Sequence, residues 1–195
     1  MTKTAFLFSG QGAQKLGMAR DLYDQYETVK ATFDEASQAL GYDLRALIDN
    51  DEEKLNETKY TQPAILTTSV AILRLLSENG IKPDLVAGLS LGEYSALVAS
   101  GIIDFQEAVK LVAKRGQYMT EAAPTGSGKM VAVMNTDPAL IEEICQKAAE
   151  FKGGIVSPAN YNTPAQIVIG GEVEAVDYAV ELLKEAGVRK LIELK

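Results

Sequence analysis

A serine stands between two glycines in Gly88-Leu89-Ser90-Leu91-Gly92, with an apolar, strand-like Leu85-Val86-Ala87 before it and a helix-like Glu93-Tyr94-Ser95-Ala96-Leu97-Val98-Ala99 after it. This is the G-x-S-x-G pattern of a nucleophile elbow, in the strand-to-helix context that an elbow needs. It makes Ser90 a candidate acyl-accepting nucleophile. An abrupt strand-to-helix turn strains the serine backbone and leaves no room for flanking side chains, which accounts for both glycines. The same glycines also suit an ordinary tight turn. A serine hydroxyl is a weak nucleophile until a base takes its proton, and the 195 residues include no histidine. The base is therefore a carboxylate, or it lies outside this chain.

Arg115 is the second candidate. It belongs to a run over residues 105–121 that Asp104 can cap and Glu107 can complete as a capping-box-like start. At about a hundred degrees per residue, Phe105, Ala108, Val109, Val112, Gly116 and Met119 form one apolar stripe. Gln106, Glu107, Lys110, Lys114, Gln117 and Glu121 form the opposite polar face. Arg115 falls at the edge of the apolar stripe, about 140 degrees from the centre of the polar face, so its guanidinium is expected to point toward protein. A guanidinium there needs an anion. Two anions fit: an internal carboxylate such as Glu93 or Asp104, or a substrate carboxylate held by two parallel hydrogen bonds. Cys145, the only cysteine, sits at helical spacing with Ile141 and Ala148 and reads as a buried structural thiol. A disulfide framework and a cysteine-based metal site within one chain are excluded, and no metal ligand is assigned.

The elements that must position these residues fall into two parts, joined near Ala123-Pro124-Thr125-Gly126-Ser127-Gly128. In the first part, residues 4–8 read as a buried strand ending at Ser9-Gly10-Gln11-Gly12. Helices are expected over residues 18–26, 27–40 and 63–79, the last with Pro63 in its first turn and Asn79-Gly80 at its end. The elbow strand follows, so strands alternate with helices and a parallel sheet covered on both faces is the economical arrangement. The second part reads strand (130–134), helix (138–151), strand (155–159), strand (166–169), helix (173–186), strand (189–194). This βαββαβ order matches a ferredoxin-like unit of about 70 residues. The fold class is α/β, with domains over residues 1–125 and 126–195, and the first is expected to lack a C-terminal return segment.

Composition narrows the function classes. A net charge of −8 argues against nucleic acid as a partner, because phosphate affinity rests on clustered Lys and Arg. No segment approaches the roughly 18 unbroken apolar residues of a membrane span, and Ala5-Phe6-Leu7-Phe8 is too short for a signal peptide. The expected location is cytoplasmic, with no membrane partner. Gly126-Ser127-Gly128-Lys129 fails as a phosphate-binding loop, since Ala123 stands where the first glycine belongs and Met130 where Ser or Thr belongs. Gly10-x-Gly12 lacks the third glycine of a dinucleotide fingerprint, because Lys15 occupies that place.

Taken together and in order, several motifs resemble those of the malonyl-CoA:acyl carrier protein transacylases of fatty-acid synthesis. They are Phe8-Ser9-Gly10-Gln11-Gly12-Ala13-Gln14, Thr61-Gln62-Pro63-Ala64, the segment from Gly88 to Tyr94, Arg115-Gly116 and Asn160-Tyr161-Asn162-Thr163-Pro164. The resemblance implies an α/β-hydrolase-like large domain interrupted by a ferredoxin-like small one. It makes Ser90 the nucleophile that takes malonyl from malonyl-CoA and yields it to the phosphopantetheine thiol of acyl carrier protein. Gln11 and Leu91 would give backbone N–H groups to the oxyanion, a placement that suits a glycine-rich loop after an early strand and the residue after an elbow serine. Arg115 would bind the free carboxylate of malonyl, and Asn160 and Asn162 would face the cleft, although both also read as turn residues beside Pro164. No cofactor is implied; malonyl-CoA is a substrate. Both partners are anionic, and Lys110, Lys114, Lys129 and Lys152 are the basic residues considered for them.

The sequence departs from the pattern at two places. Many relatives carry His where Leu89 stands, and the family's activating histidine comes from the segment after the small domain's last strand. The resemblance therefore implies the N-terminal portion of a longer enzyme, with transfer by these 195 residues alone weak or absent. Two alternatives remain beside it. One is a patatin-like Ser-Asp lipid acyl hydrolase, for which no Asp-Gly-Gly oxyanion loop is present. The other is a non-catalytic module that binds carrier protein or CoA.

Overall fold

A computed structural model describes residues 3–124 and 126–194; Thr125 and Lys195, read above as joint and terminus, lie outside them. The chain divides into two compact units between Ala122 and Ala123. It is mixed α/β, with one parallel and one antiparallel sheet.

The first unit runs β1 (Ala5–Phe8), α1 (Arg20–Gln25), α2 (Glu27–Leu40), α3 (Leu44–Asn50), α4 (Glu52–Leu55), α5 (Thr58–Glu78), β2 (Leu85–Gly88), α6 (Leu91–Ala99) and α7 (Phe105–Ala122). β1 and β2 pair in parallel, from Ala5 opposite Leu85 to Phe8 opposite Gly88; β1 is not the buried strand expected, because in this two-stranded sheet one face is uncovered among the described residues, leaving Leu7 79% and Leu85 63% exposed. A parallel pair needs a crossover, and the helices from α1 to α5 supply it. Their apolar faces form the core, in which Phe33, Leu44, Ile48, Leu66, Leu91, Val109 and Val112 are fully buried. The stripe expected on α7 is the buried one except at its end, where Met119 is exposed. Asp104 caps this helix by accepting from the Gln106 N–H at 2.8 Å. Glu107 completes no box and instead pairs with Lys110 one turn on.

The expected start of α5 needs correction. The helix begins at Thr58, and Pro63 lies inside it. Pro63 removes one intrahelical hydrogen bond, but residues 61–67 are buried without a break, so tertiary burial outweighs the lost bond. Tyr60 and Thr61 already donate to the Glu57 carbonyl at 2.8 and 2.9 Å, which shows the first turn in place ahead of the proline.

The second unit runs β3 (Gly128–Met134), α8 (Pro138–Lys152), β4 (Val156–Thr163), β5 (Gln166–Glu172), α9 (Val173–Glu185) and β6 (Leu191–Glu193). The strands lie in the order β4-β5-β3-β6, all antiparallel to their neighbours. Asp137 caps α8 through the Ala139 N–H at 2.8 Å, with Pro138 at the first helical position. Val131, Val133 and Ile169 from the sheet meet Ile141, Cys145, Val176 and Leu183 from the helices in one core. Cys145 is a buried free thiol, and burial pushes its pKa up to about 11.

Candidate active site

The elbow is built by close backbone approach. A Cβ on Gly88 would sit 2.0 Å from the Gly92 carbonyl carbon, and one on Gly92 would sit 2.2 Å from the Phe8 oxygen. Both distances are far inside van der Waals contact, so a side chain at either place would force strand, turn and helix apart. The loop after β1 closes against the same turn, with the Leu89 N–H donating to the Phe8 carbonyl at 3.3 Å. Between the glycines Ser90 holds φ 53 and ψ −105, a positive φ that costs a residue with a Cβ.

Ser90 occupies the position just before α6, where a serine usually spends its hydroxyl on the helix N–H groups. Here the side chain makes no such cap. Its Oγ accepts instead from Arg115 Nη2 at 3.0 Å. The side chain is exposed, and the helix behind it directs its positive end at the same place.

Arg115 reaches Ser90 because α7 lies against the first turn of α5. Gly116 makes that contact possible, since a Cβ there would stand 2.6 Å from the Thr58 oxygen. The guanidinium donates from Nη1 to Gln62 Oε1 at 2.8 Å and lies over the Tyr94 ring, 5.5 Å from its centroid. Neither Glu93 nor Asp104, the carboxylates weighed above, forms an ion pair with it, and among the described residues no carboxylate does. Arg115 is thus a half-buried cation held by three neutral groups: an amide, a hydroxyl and an aromatic face. Such an arrangement orients the charge and leaves it available to an anion.

Leu91 is fully buried at the first position of α6. Gln11 lies in the exposed turn after β1, its side chain donating to Thr58 Oγ1 at 3.2 Å. Among the described residues neither the Gln11 nor the Leu91 backbone N–H has a hydrogen-bond partner. Asn160 and Asn162 belong to the second unit and stand in β4, not in the turn read beside Pro164. Asn160 pairs with Val168 on β5, and Asn162 Nδ2 donates to Gln166 Oε1 at 3.0 Å. The pairing with β5 carries the strand through residues whose types favour turns.

Gln62 joins the site although the sequence gives it no role beyond its place in the Thr61-Gln62-Pro63-Ala64 motif. It is fully buried and bonded to Arg115, yet its segment was read as preceding a helix that begins at Pro63. The available signal was a polar pair, Thr61-Gln62, entering a strongly apolar helix. Among the basic residues considered for partners, Lys110 pairs with Glu107 and Lys152 lies over the Tyr178 ring. Hydrogen bonds to Asp177 and Glu193, both 2.8 Å, hold the Lys129 ammonium above its ordinary range.

Residues 5–194 match the family model described as acyl transferase domain. The chain is 50% identical over 196 residues to the malonyl CoA-acyl carrier protein transacylase of Escherichia coli (strain K12), covering all of this chain and 63% of that protein. A crystal structure of "MCAT from Streptococcus pneumoniae" matches with a TM-score of 0.94 and 73% identity, covering 99% of this chain and 63% of that one. Another, a type II polyketide synthase acyl carrier protein in complex with its malonyl-transacylase, matches with a TM-score of 0.92 and 49% identity over 99% of this chain and 62% of that one. The chain therefore spans somewhat under two thirds of the length of the relatives it matches.

Proposed function

The chain belongs to the acyl transferase domain family, and from that premise we propose that it acts as a malonyl-CoA:acyl carrier protein transacylase of fatty-acid synthesis. Ser90 Oγ attacks the thioester carbonyl carbon of malonyl-CoA and gives up its proton to a base. The C–S bond then breaks, CoA leaves as its thiol, and malonyl remains as an ester on Ser90. The phosphopantetheine thiol of acyl carrier protein reverses these steps and carries malonyl away. The Gln11 and Leu91 N–H groups receive the oxyanion, Arg115 takes the free carboxylate, and Asn160 and Asn162 are assigned to substrate binding from the second unit. Exchange of a thioester for an ester and back involves no change of oxidation state, so these roles call for no redox cofactor.

The observation that carries this reading is the Ser90–Arg115 contact, a hydroxyl spared from helix capping and set 3.0 Å from a guanidinium with no carboxylate partner among the described residues. A simple ester hydrolase has no use for that charge, whereas a malonyl thioester brings the missing anion. A Ser-Asp hydrolase would set an aspartate against Ser90 Oγ, and the hydroxyl's partner is Arg115. In this reading the first unit is α/β-hydrolase-like, supported by its parallel strands and elbow, and the second is ferredoxin-like, supported by its βαββαβ order. The reaction is placed in the cytoplasm; no helix among the described residues is long and apolar enough to cross a membrane.

Intact mass spectrometry after incubation with malonyl-CoA tests the proposal. One malonyl adduct is expected on the protein and none on Ser90→Ala. An adduct that survives in Ser90→Ala would overturn the assignment of the nucleophile, whereas an unmodified protein would mean that the base lies outside these 195 residues, among which there is no histidine.

A further inference from the structure

We propose that Gln62 is the positioning residue for the acyl-recognition arginine, and that it must be uncharged for Arg115 to select a carboxylate-bearing acyl group. This rests on the reading of Arg115 given above and assigns the device that keeps its charge available.

A half-buried guanidinium needs hydrogen-bond acceptors to stay in one orientation, and the commonest acceptor for it is a carboxylate. A carboxylate would orient the guanidinium and also neutralise it, so a substrate carboxylate would have to compete with an internal one. An amide oxygen separates the two tasks. Gln62 Oε1 accepts from Nη1 at 2.8 Å, which fixes the guanidinium plane without cancelling its charge. Arginine donates and never accepts, so the oxygen and not the nitrogen of the amide must face it. The amide nitrogen is held on the other side, donating to Met119 Sδ at 3.3 Å. Gln62 itself is fully buried on α5, where a long polar side chain is retained only if it is bonded.

The other two groups on Arg115 follow the same rule. Tyr94 offers a ring face and Ser90 a hydroxyl, so every group holding the cation is neutral. The sequence supplies acidic neighbours freely, 27 Asp and Glu against 19 Lys and Arg, yet none of the described ones pairs with Arg115. Elsewhere in the same unit, buried or half-buried arginines do take carboxylates: Arg45 pairs with Asp49 and Arg74 with Glu35. Those guanidiniums brace helices. The contrast identifies the neutral amide as the feature that separates a recognition arginine from a structural one.

The test compares Ser90 acylation by malonyl-CoA and by acetyl-CoA in the wild-type protein, Gln62→Glu and Gln62→Leu, with thermal melting of each. Gln62→Glu keeps the size and the acceptor but adds the competing charge. It is expected to melt near the wild type and to lose malonyl acylation about tenfold to a hundredfold, as expected for the loss of one charge-assisted hydrogen bond. Acetyl acylation should change much less, so the malonyl-to-acetyl ratio falls. Gln62→Leu keeps the volume but frees the guanidinium, and its malonyl defect should appear mainly in KM. Equal losses for the two acyl groups in Gln62→Glu, or an unchanged ratio in both variants, would overturn the proposal. If the wild-type protein shows no preference for malonyl, the reading of Arg115 fails instead, and the two failures are distinct.

Discussion

The two units bury different kinds of interior. In the first, Thr32, Arg45, Thr61, Gln62, Thr67 and Ser95 are buried among the apolar residues; in the second, every buried side chain described is apolar or the Cys145 thiol. Burying a polar group costs free energy unless it is bonded, and the second unit leaves such groups out of its described interior. In the first unit most of them have identifiable work. Thr61 donates to the Leu55 and Glu57 carbonyls and secures the start of α5, Arg45 joins α3 to the Met18 carbonyl, and Gln62 orients Arg115. Thr67 and Ser95 are exceptions, with hydroxyls that have no partner. At the elbow, Ser90 is kept at φ 53 by glycines on either side. The first unit carries buried polar groups that brace its helices and orient Arg115; the second keeps its described interior apolar.

The largest effect that would break this comparison is expected at Gly88. An added methyl group 2.0 Å from the Gly92 carbonyl carbon cannot be absorbed by a rotamer change. Gly88→Ala should destabilise the first unit by more than about 4 kcal/mol, the range reserved for gross backbone conflict, and abolish Ser90 acylation. Hydrogen exchange read separately over the two units would show protection lost in residues 85–122 and largely kept in residues 128–193. Wild-type acylation by this variant would mean that the elbow is not as tight as described.

A cavity in the second unit should do the reverse. Leu183→Ala on α9 removes a fully buried side chain from an apolar core, at a cost of about 2–5 kcal/mol. Acylation of Ser90 per folded molecule should stay within about twofold of the wild type, a change too small to count as a lost interaction. A much larger fall, with the second unit still folded, would show that its packing also sets the chemistry.

The elbow was legible in the sequence because its demands are local: two glycines, a serine, a strand before and a helix after. The inward edge position of Arg115 was legible because α7 is long and its periodicity is clean. The second unit's element order was readable from segments with clear breaks between them. What escaped were features set by distant partners. The first turn of α5 depends on burial of residues 61–67, which overrides the usual meaning of Pro63. β4 continues to Thr163 because β5 pairs with it, Asn160 opposite Val168 and Thr163 opposite Gln166. Gln62 escaped for the same reason, since its importance lies in a bond to a residue 53 positions away.

The smallest effect sharpens the comparison from the side of the second unit, through Cys145. Desolvation in that apolar core raises the thiol pKa from an ordinary 9.0 to about 11, with the nearby Glu142 charge adding to the shift. The folded state therefore holds the proton more tightly than the unfolded chain. Below the unfolded value both states are protonated and the contribution to stability is fully present. As pH rises from about 9 toward 11 the unfolded thiol ionises first, and stability is lost by up to roughly 3 kcal/mol, at about 1.4 kcal/mol per pKa unit. Tyrosines and lysines titrate over the same range, so the informative quantity is the difference between the wild type and Cys145→Ala in urea unfolding at each pH. The alanine variant should be less stable near neutrality, because it leaves a small cavity, and should close part of that gap as pH rises. Parallel curves across the range would mean that the thiol is not desolvated, and the interior of the second unit would then be less apolar than its packing indicates.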